Sequence, residues 1–226
     1  MEQIEPAKNA FQEVSPAEKG SPFYRGLSYL IPKRTVDILC SFVALVCLSP
    51  VFLVTAVAIR LESKGSVFFL QERVGQSKRV FKMYKFRSMR ADAPKLHQVL
   101  KEQYGDTSGS FKIKDDPRIT KVGKFIRKLS IDELPQLLNI IKGDMSIVGP
   151  RPLPTYEAAD LPEKYDDRFR ALPGLTCTWQ ISGRSEISFD KRMQLDIDYV
   201  RERSFWKDIG LIFRTIPAVF SGKGAY

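Results

Sequence analysis

Histidine is almost missing from this sequence, and cysteine is scarce. The single histidine, His97, lies in a polar stretch, which excludes a His-cluster metal site and argues against a Ser-His-Asp triad; a surface histidine is the ordinary reading. Cys40 and Cys47 lie in an apolar run and Cys177 is remote, so neither a disulfide framework nor a Cys-rich metal site is indicated. Reduced thiols of this kind suit a cytoplasmic face. Residues 1–32 are rich in Glu, Lys, Pro, Ser and Gly, with no apolar core behind a basic leader. They read as a flexible N-terminal tail and not as a signal peptide. No internal repeat is visible.

Positive charge, by contrast, is abundant. The 226 residues carry a formal net charge of +10, with a pI near 9.5. Anionic partners are therefore expected: nucleic acid, acidic lipid head groups or phosphorylated substrates. The length suits one principal domain with an accessory element.

Ile38 to Ile59 contains no charged residue, and basic residues flank it at Lys33, Arg34 and Arg60. As a helix this run is about 33 Å long, enough for a hydrocarbon core. Ser49-Pro50 breaks it in the middle, where proline removes a backbone hydrogen bond and kinks the helix. With cations at both ends, charge gives no preferred direction of insertion. A kinked helix that dips into one leaflet and returns, and a straight transmembrane helix with a mild kink, both fit.

The remainder is polar and globular. Val67–Leu70 and Val80–Phe86 read as short strands around Val74-Gly75. Residues 91–109 read as a polar helix running into a Gly-Asp-Thr-Ser-Gly-Ser loop. Helical spacing recurs over Ile119–Leu129 and over Leu134–Ile141, the latter ended by Gly143. Pro150, Pro152 and Pro154 force an extended segment. Phe205, Ile209, Ile212, Phe213, Ile216 and Phe220 share one helical face, beside Trp206 and Lys207. Such a stripe serves either a membrane surface or docking onto a core.

The chemistry centres on two adjacent acids, Asp132 and Glu133, set among Lys121, Lys124, Arg127, Lys128, Lys142 and Arg151. Surrounding cations favour the ionised form of both. Ser130-Ile131-Asp132-Glu133 matches a capping box, but that register puts Pro135 inside the helix; an Asp132 N-cap puts it in the first turn. Capping is the commoner use of such acids. The other use is to hold a divalent metal and attack phosphorus, with cations on the phosphates. Arg151, held between two prolines, loses little entropy when its fork closes on a phosphate.

Taken together, Lys85-Phe86-Arg87-Ser88-Met89, Asp132-Glu133-Leu134-Pro135-Gln136, Gly143-Asp144-Met145-Ser146 and Gly149-Pro150-Arg151-Pro152, behind a Ser49-Pro50-broken apolar helix, resemble the bacterial sugar transferases, or monotopic phosphoglycosyl transferases. The likeness runs from about Lys33 to the C-terminus. It is nearest to the small undecaprenyl-phosphate hexose-phosphate transferases of exopolysaccharide synthesis. The resemblance implies an α/β fold, mostly helical with a small irregular sheet. A re-entrant membrane helix would occupy 33–62, and a cytoplasmic catalytic domain 63–226 with membrane-surface amphipathic helices. It implies transfer of a sugar phosphate, glucose or galactose first among the candidates, from a UDP-sugar to undecaprenyl phosphate at the bacterial inner membrane, with Mg²⁺ and a covalent aspartyl intermediate.

Carried over by motif, Asp132 matches the nucleophile and Glu133 its acidic partner, both being metal ligands. Lys85, Arg87, Arg127, Arg151 and Arg184 match phosphate binders, and Ser49 and Pro50 match the helix break. Cys177 departs from the family pattern in the segment Gly174-Leu175-Thr176-Cys177-Thr178-Trp179, where it can alter sugar or uridine contacts. A homo-oligomer is left open. No nucleic-acid partner is expected, since the basic residues are scattered among turns without a nucleic-acid motif. The competing reading is a non-catalytic basic module on a membrane surface, whose binding would fall with salt and ignore Mg²⁺ and UDP-sugar.

Overall fold

The computed structural model describes residues 21–90, 92–93, 96, 116–183 and 187–221. The described part opens with two helices, α1 (Leu27–Cys47) and α2 (Ser49–Glu62), bent by 60° at Leu48. Pro50 lies in the first turn of α2, where a missing N–H is tolerated. The Val46 carbonyl that Pro50 would have bonded in a continuous helix accepts instead from Ser49 Oγ at 2.8 Å. Among the described residues no single helix is long and apolar enough to cross a membrane; only the bent pair together meets that condition.

The pair turns its polar side chains inward. The buried residues of α1 are Tyr29, Asp37 and Ser41, while Leu39, Phe42, Val43 and Val46, with Leu53, Val54 and Leu61 of α2, are exposed. Asp37 Oδ1 accepts from the Ile147 amide at 3.0 Å. Lys33 Nζ donates to Asp208 Oδ2 at 2.8 Å and to the Val148 carbonyl at 3.1 Å.

Beyond the bend, β1 (Phe68–Val74) and β2 (Val80–Phe86) form an antiparallel hairpin with Phe68 opposite Phe86 and Val74 opposite Val80. β4 (Leu153–Pro154) joins the other edge of β1 at Arg73 and Val74. Between them come α3 (Lys121–Lys128), α4 (Gln136–Lys142) and β3 (Ser146–Val148), the last paired in parallel with β5 (Gly174–Thr176). The short α5 (Thr155–Ala159) precedes β5, and α6 (Phe189–Glu202) and α7 (Phe205–Ser221) follow it. Among the described residues the result is mostly helical with two small sheets, where the resemblance implied one small irregular sheet.

Packing joins the helices to the hairpin. Ile59 of α2, Phe86 of β2 and Ile126 of α3 form one cluster, and Met83, Leu137, Ile140 and Met145 form another beneath Ala44 and Leu45 of α1. Glu62, the last residue of α2, accepts from the Lys121 and Val122 amides at 2.7 and 3.0 Å, so one helix's acid satisfies the first turn of the next. Gly123 of α3 is required by contact: a Cβ there would lie 1.9 Å from the Ser88 carbonyl oxygen.

Several expectations change. Residues 21–32, read as part of the tail, are structured: the helix starts at Leu27, not Lys33, and the Phe23 carbonyl accepts from Arg203 Nη2 at 2.8 Å. The apolar stripe of α7 is divided along its length: Phe205, Ile209 and Ile212 are half-buried, Ile212 on the Val148 cluster, while Phe213 and Ile216 are exposed. Most of 91–109, with the following loop and His97, lies outside the described residues, as does Arg184.

Candidate active site

Three separate elements bring their side chains to one place: β2 supplies Lys85, the α3–α4 corner supplies Asp132 and Glu133, and the proline-rich segment before β4 supplies Arg151. The corner is made by Ser130, which adopts the left-handed region with φ 56°, a conformation costing an L-residue about 1 kcal/mol. Its amide donates to the Arg127 carbonyl at 3.0 Å, closing α3. The chain then makes a tight turn over Ile131–Glu133, and α4 begins at Gln136 immediately after Pro135.

Neither capping register survives. No Ser130 or Asp132 side chain caps a helix; the side chain that caps α3 is Thr120, whose Oγ1 accepts from the Gly123 amide at 2.9 Å. The two acids are thus free for other work, and their surroundings differ. Glu133 Oε1 accepts from Lys85 Nζ at 2.9 Å and from Arg151 Nη2 at 2.5 Å. Its Oε2 has only Arg151 Nη1, at 3.5 Å. Asp132 as a residue is 8% exposed, and its carboxylate accepts no hydrogen bond among the described residues.

Their proton affinities separate accordingly. Burial pushes Asp132 above the ordinary aspartate value; Lys85 opposes the rise and the adjacent Glu133 charge adds to it. For Glu133 burial acts the same way, but Arg151 and Lys85 overcome it and hold the acid well below the usual carboxylate range. The expectation that surrounding cations depress both acids therefore applies to Glu133 alone. Environments that push paired carboxyls apart are a pattern of acid–base and nucleophilic sites.

The remaining cations divide. Arg127 bonds Ser88 Oγ through Nε at 2.8 Å and leaves both Nη groups without partners among the described residues. Burial lowers its proton affinity, and the nearby Asp132 and Asp116 charges raise it, which places it close to the acid pair. Arg87 faces elsewhere. Its Nη1 donates to the Lys64 carbonyl at 2.8 Å and its Nη2 to Ser63 O at 2.8 Å and Oγ at 2.9 Å, tying the end of α2 to the sheet. A phosphate would have to displace those carbonyls.

Against known families, the model for "Bacterial sugar transferase" matches residues 28–222. The chain belongs to that family. The chain is 45% identical over 220 residues to galactosyl transferase CpsE of Streptococcus agalactiae, covering 95% of this chain and 48% of CpsE. It is 43% identical over 204 residues to the exopolysaccharide production protein ExoY of Sinorhizobium fredii, covering 87% and 88% of the two chains. It is also 38% identical over 208 residues to an undecaprenyl-phosphate glucose phosphotransferase of Komagataeibacter xylinus, covering 87% and 37%. The chain thus spans less than half of two of these relatives and nearly all of ExoY.

Sequence reasoning about this sugar transferase missed the supports behind its cations. Asn139 of α4 is fully buried; its Oδ1 accepts from the Tyr84 amide at 2.9 Å and its Nδ2 donates to the Lys82 carbonyl at 2.8 Å. That pins the free edge of β2 beside Lys85. Arg73 and Arg168 reach the backbone around Arg151. A lone Asn in an apolar helix was the one signal available; nothing in their local sequence sets Arg73 or Arg168 apart.

Proposed function

We propose that this chain transfers a sugar 1-phosphate from a UDP-sugar to undecaprenyl phosphate, releasing UMP, as the initiating step of exopolysaccharide or other surface-glycan assembly. One observation carries the reading: Asp132 is buried and unbonded beside a partner acid that two cations hold anionic. An acid with no donor of its own, set beside cations, is uncommitted to the fold and open to a ligand.

In the first half-reaction an Asp132 oxygen attacks the phosphorus that bears the sugar. The bond from that phosphorus to the bridging oxygen breaks, and UMP leaves with the electron pair, giving an acyl phosphosugar on Asp132. In the second, an oxygen of the lipid phosphate attacks the same phosphorus, and the Asp132 carboxylate departs unchanged. Splitting the transfer lets one site serve two phosphate substrates in turn. Anion attacking anion needs fixed positive charge around the transferring group. Arg127, with its free Nη groups, and Lys85 and Arg151 supply it.

Among the described residues no three metal-binding side chains converge. Mg²⁺ nevertheless suits the donors present, because it commonly takes one or two carboxylates and completes its shell with water and substrate phosphate. Asp132 and Glu133 Oε2 would hold it. When bound, it neutralises charge developing on the phosphoryl oxygens.

The membrane setting, the cytoplasmic face of a bacterial inner membrane, is supported by the exposed apolar faces of α1 and α2. Both ends of that pair are also anchored in one body: Tyr29 and Lys33 on Asp208, Glu62 on the start of α3. A helix leaving and returning to the same body favours the re-entrant reading over a span. Relatives named for glucose and galactosyl transfer leave the sugar open.

The test is a panel of UDP-sugars with undecaprenyl phosphate, with and without Mg²⁺, scored by UMP release. Donor alone should add the phosphosugar mass to the peptide containing Asp132, and Asp132→Asn should lose both adduct and turnover. Near-normal turnover by Asp132→Asn would remove it as nucleophile.

A further inference from the structure

Arg151 stands on an unusually restrained backbone. Three consecutive carbonyls are each taken: Pro150 O accepts from the Gly174 amide at 2.9 Å, Arg151 O from Arg168 Nη2 at 2.6 Å, and Pro152 O from Arg73 Nη1 at 3.1 Å. The two prolines fix their own φ, and Pro152 confines Arg151 to extended conformations. Gly149 seats the start of the segment, where a Cβ would lie 2.2 Å from the Leu172 carbonyl oxygen.

Two of the three donors are guanidiniums arriving from different elements. Arg73 comes from β1 and is anchored by Gln71 Oε1 at 2.7 Å. Arg168 comes from the turn Glu163–Arg170, is 2% exposed, and is anchored by Asp196 Oδ2 at 2.7 Å. Stability alone does not ask for this arrangement. A neutral amide can donate to a carbonyl without being driven against a third cation, and burial and the neighbouring Arg151 lower Arg73 to about 10. Local rules broken at a cost are expected where function requires it.

We infer that Arg73 and Arg168 are positioning residues for Arg151, holding its backbone so that its fork meets Glu133 and the transferring phosphate in one fixed geometry. The inference rests on the phosphosugar-transfer reading above. Neither arginine touches the reacting atoms; each acts through Arg151.

The experiment is a double-mutant cycle on the full chain in detergent. Arg73→Lys keeps the charge and removes the fork. It should lower kcat about 10- to 100-fold, as small misplacements of catalytic groups do. KM for the UDP-sugar should move less than about threefold, since a group acting only in the transition state leaves ground-state binding intact. In an Arg151→Lys background the same substitution should cost less than about twofold further, because residues acting as one unit are not additive. Losses that simply multiply would overturn the inference. Arg168→Lys repeats the cycle from the other side; if that variant fails to fold beside Asp196, Arg73→Lys decides alone. A second readout needs no substrate: in ¹⁵N-arginine NMR, rotation of the Arg151 guanidinium should be hindered in the unsubstituted chain and faster in Arg73→Lys. Unchanged rotation would overturn the inference. An unsubstituted chain that makes no lipid product would sink the proposed function, while the NMR comparison would still decide the role of Arg73.

Discussion

Removing Lys85 as a charge, by Lys85→Met, perturbs both acids at once. Its Nζ is 2.9 Å from Glu133 Oε1, with each side chain 16% exposed. At an effective dielectric of about 20, the gross attraction at that distance is about 6 kcal/mol. Desolvation offsets most of it, and Arg151 remains on the same oxygen, so the net loss should be about 2 kcal/mol. For a chain of this size, that lowers Tm by about 4–8 °C. The pH dependence is the sharper readout. Lys85 is the leading influence holding Asp132 down against burial, so its removal raises Asp132 further. If Asp132 must be ionised to attack, the acid limb of single-turnover UMP release moves to higher pH. Glu133→Gln should move the residual activity's limb the other way, because it deletes the like charge that raises Asp132. Limbs that stay put in both variants, or move together, would refute the electrostatic argument.

Asp196 titrates at about 6 in the folded chain because burial outweighs Arg168. The folded state therefore binds that proton more tightly than the unfolded chain, so this contribution is fully present below about pH 4 and is lost as pH rises through 6. Asp196→Asn should flatten urea-measured stability over that window by up to about 3 kcal/mol. Gly123→Ala drives a methyl group to 1.9 Å from the Ser88 carbonyl oxygen. It should cost about 3 kcal/mol by denaturant midpoint, and UMP release should fall with it because Ser88 Oγ holds Arg127. Ser49→Ala with Pro50→Ala returns an N–H to the Val46 carbonyl and should straighten the α1–α2 bend. In inverted membrane vesicles an N-terminal tag accessible in the parent should become protected, and equal accessibility would count against the break as the topology determinant.

What the sequence made legible was local. The Ser49-Pro50 break, the hairpin around Val74-Gly75, the helix stop at Gly143 and the extended Pro150–Pro154 segment each follow from one residue's restricted backbone. Lys85, Glu133 and Arg151 were read from motifs far apart in the chain, and the fold brings them within hydrogen-bond reach. What stayed hidden depends on partners. Arg87 and Arg151 both match phosphate binders by motif, yet one bonds the Ser63 and Lys64 carbonyls and the other an acid. The rise of Asp132 was missed because counting nearby cations ignores burial. α6 went unread because its buried face mixes Met193 and Ile197 with Asp196 and Tyr199, whose polar atoms find partners only in other elements.

The α1–α2 pair is the reverse of a helix packed in water. An amphipathic helix of a soluble domain turns its apolar stripe to the core. Here Asp37 and Ser41 face the core, and Leu39, Phe42 and Val43 face away. In water those exposed side chains would forgo roughly 25 cal/mol for every Å² left uncovered; in the proposed bilayer they lose nothing. The polar inward face then explains how the pair is held. Beside the apolar contacts of Ala44, Leu45, Phe52 and Ile59, attachment rests on directed contacts: Lys33 and Tyr29 on Asp208, Arg34 on the Ile141 carbonyl, Glu62 on α3. Directed contacts fix an orientation, whereas apolar packing tolerates sliding. Since α3 leads into the corner carrying Asp132, orientation set at Glu62 passes through one short helix to the proposed nucleophile. If the bent pair lies in lipid as proposed, its depth sets the depth at which Asp132 would meet the acceptor's phosphate.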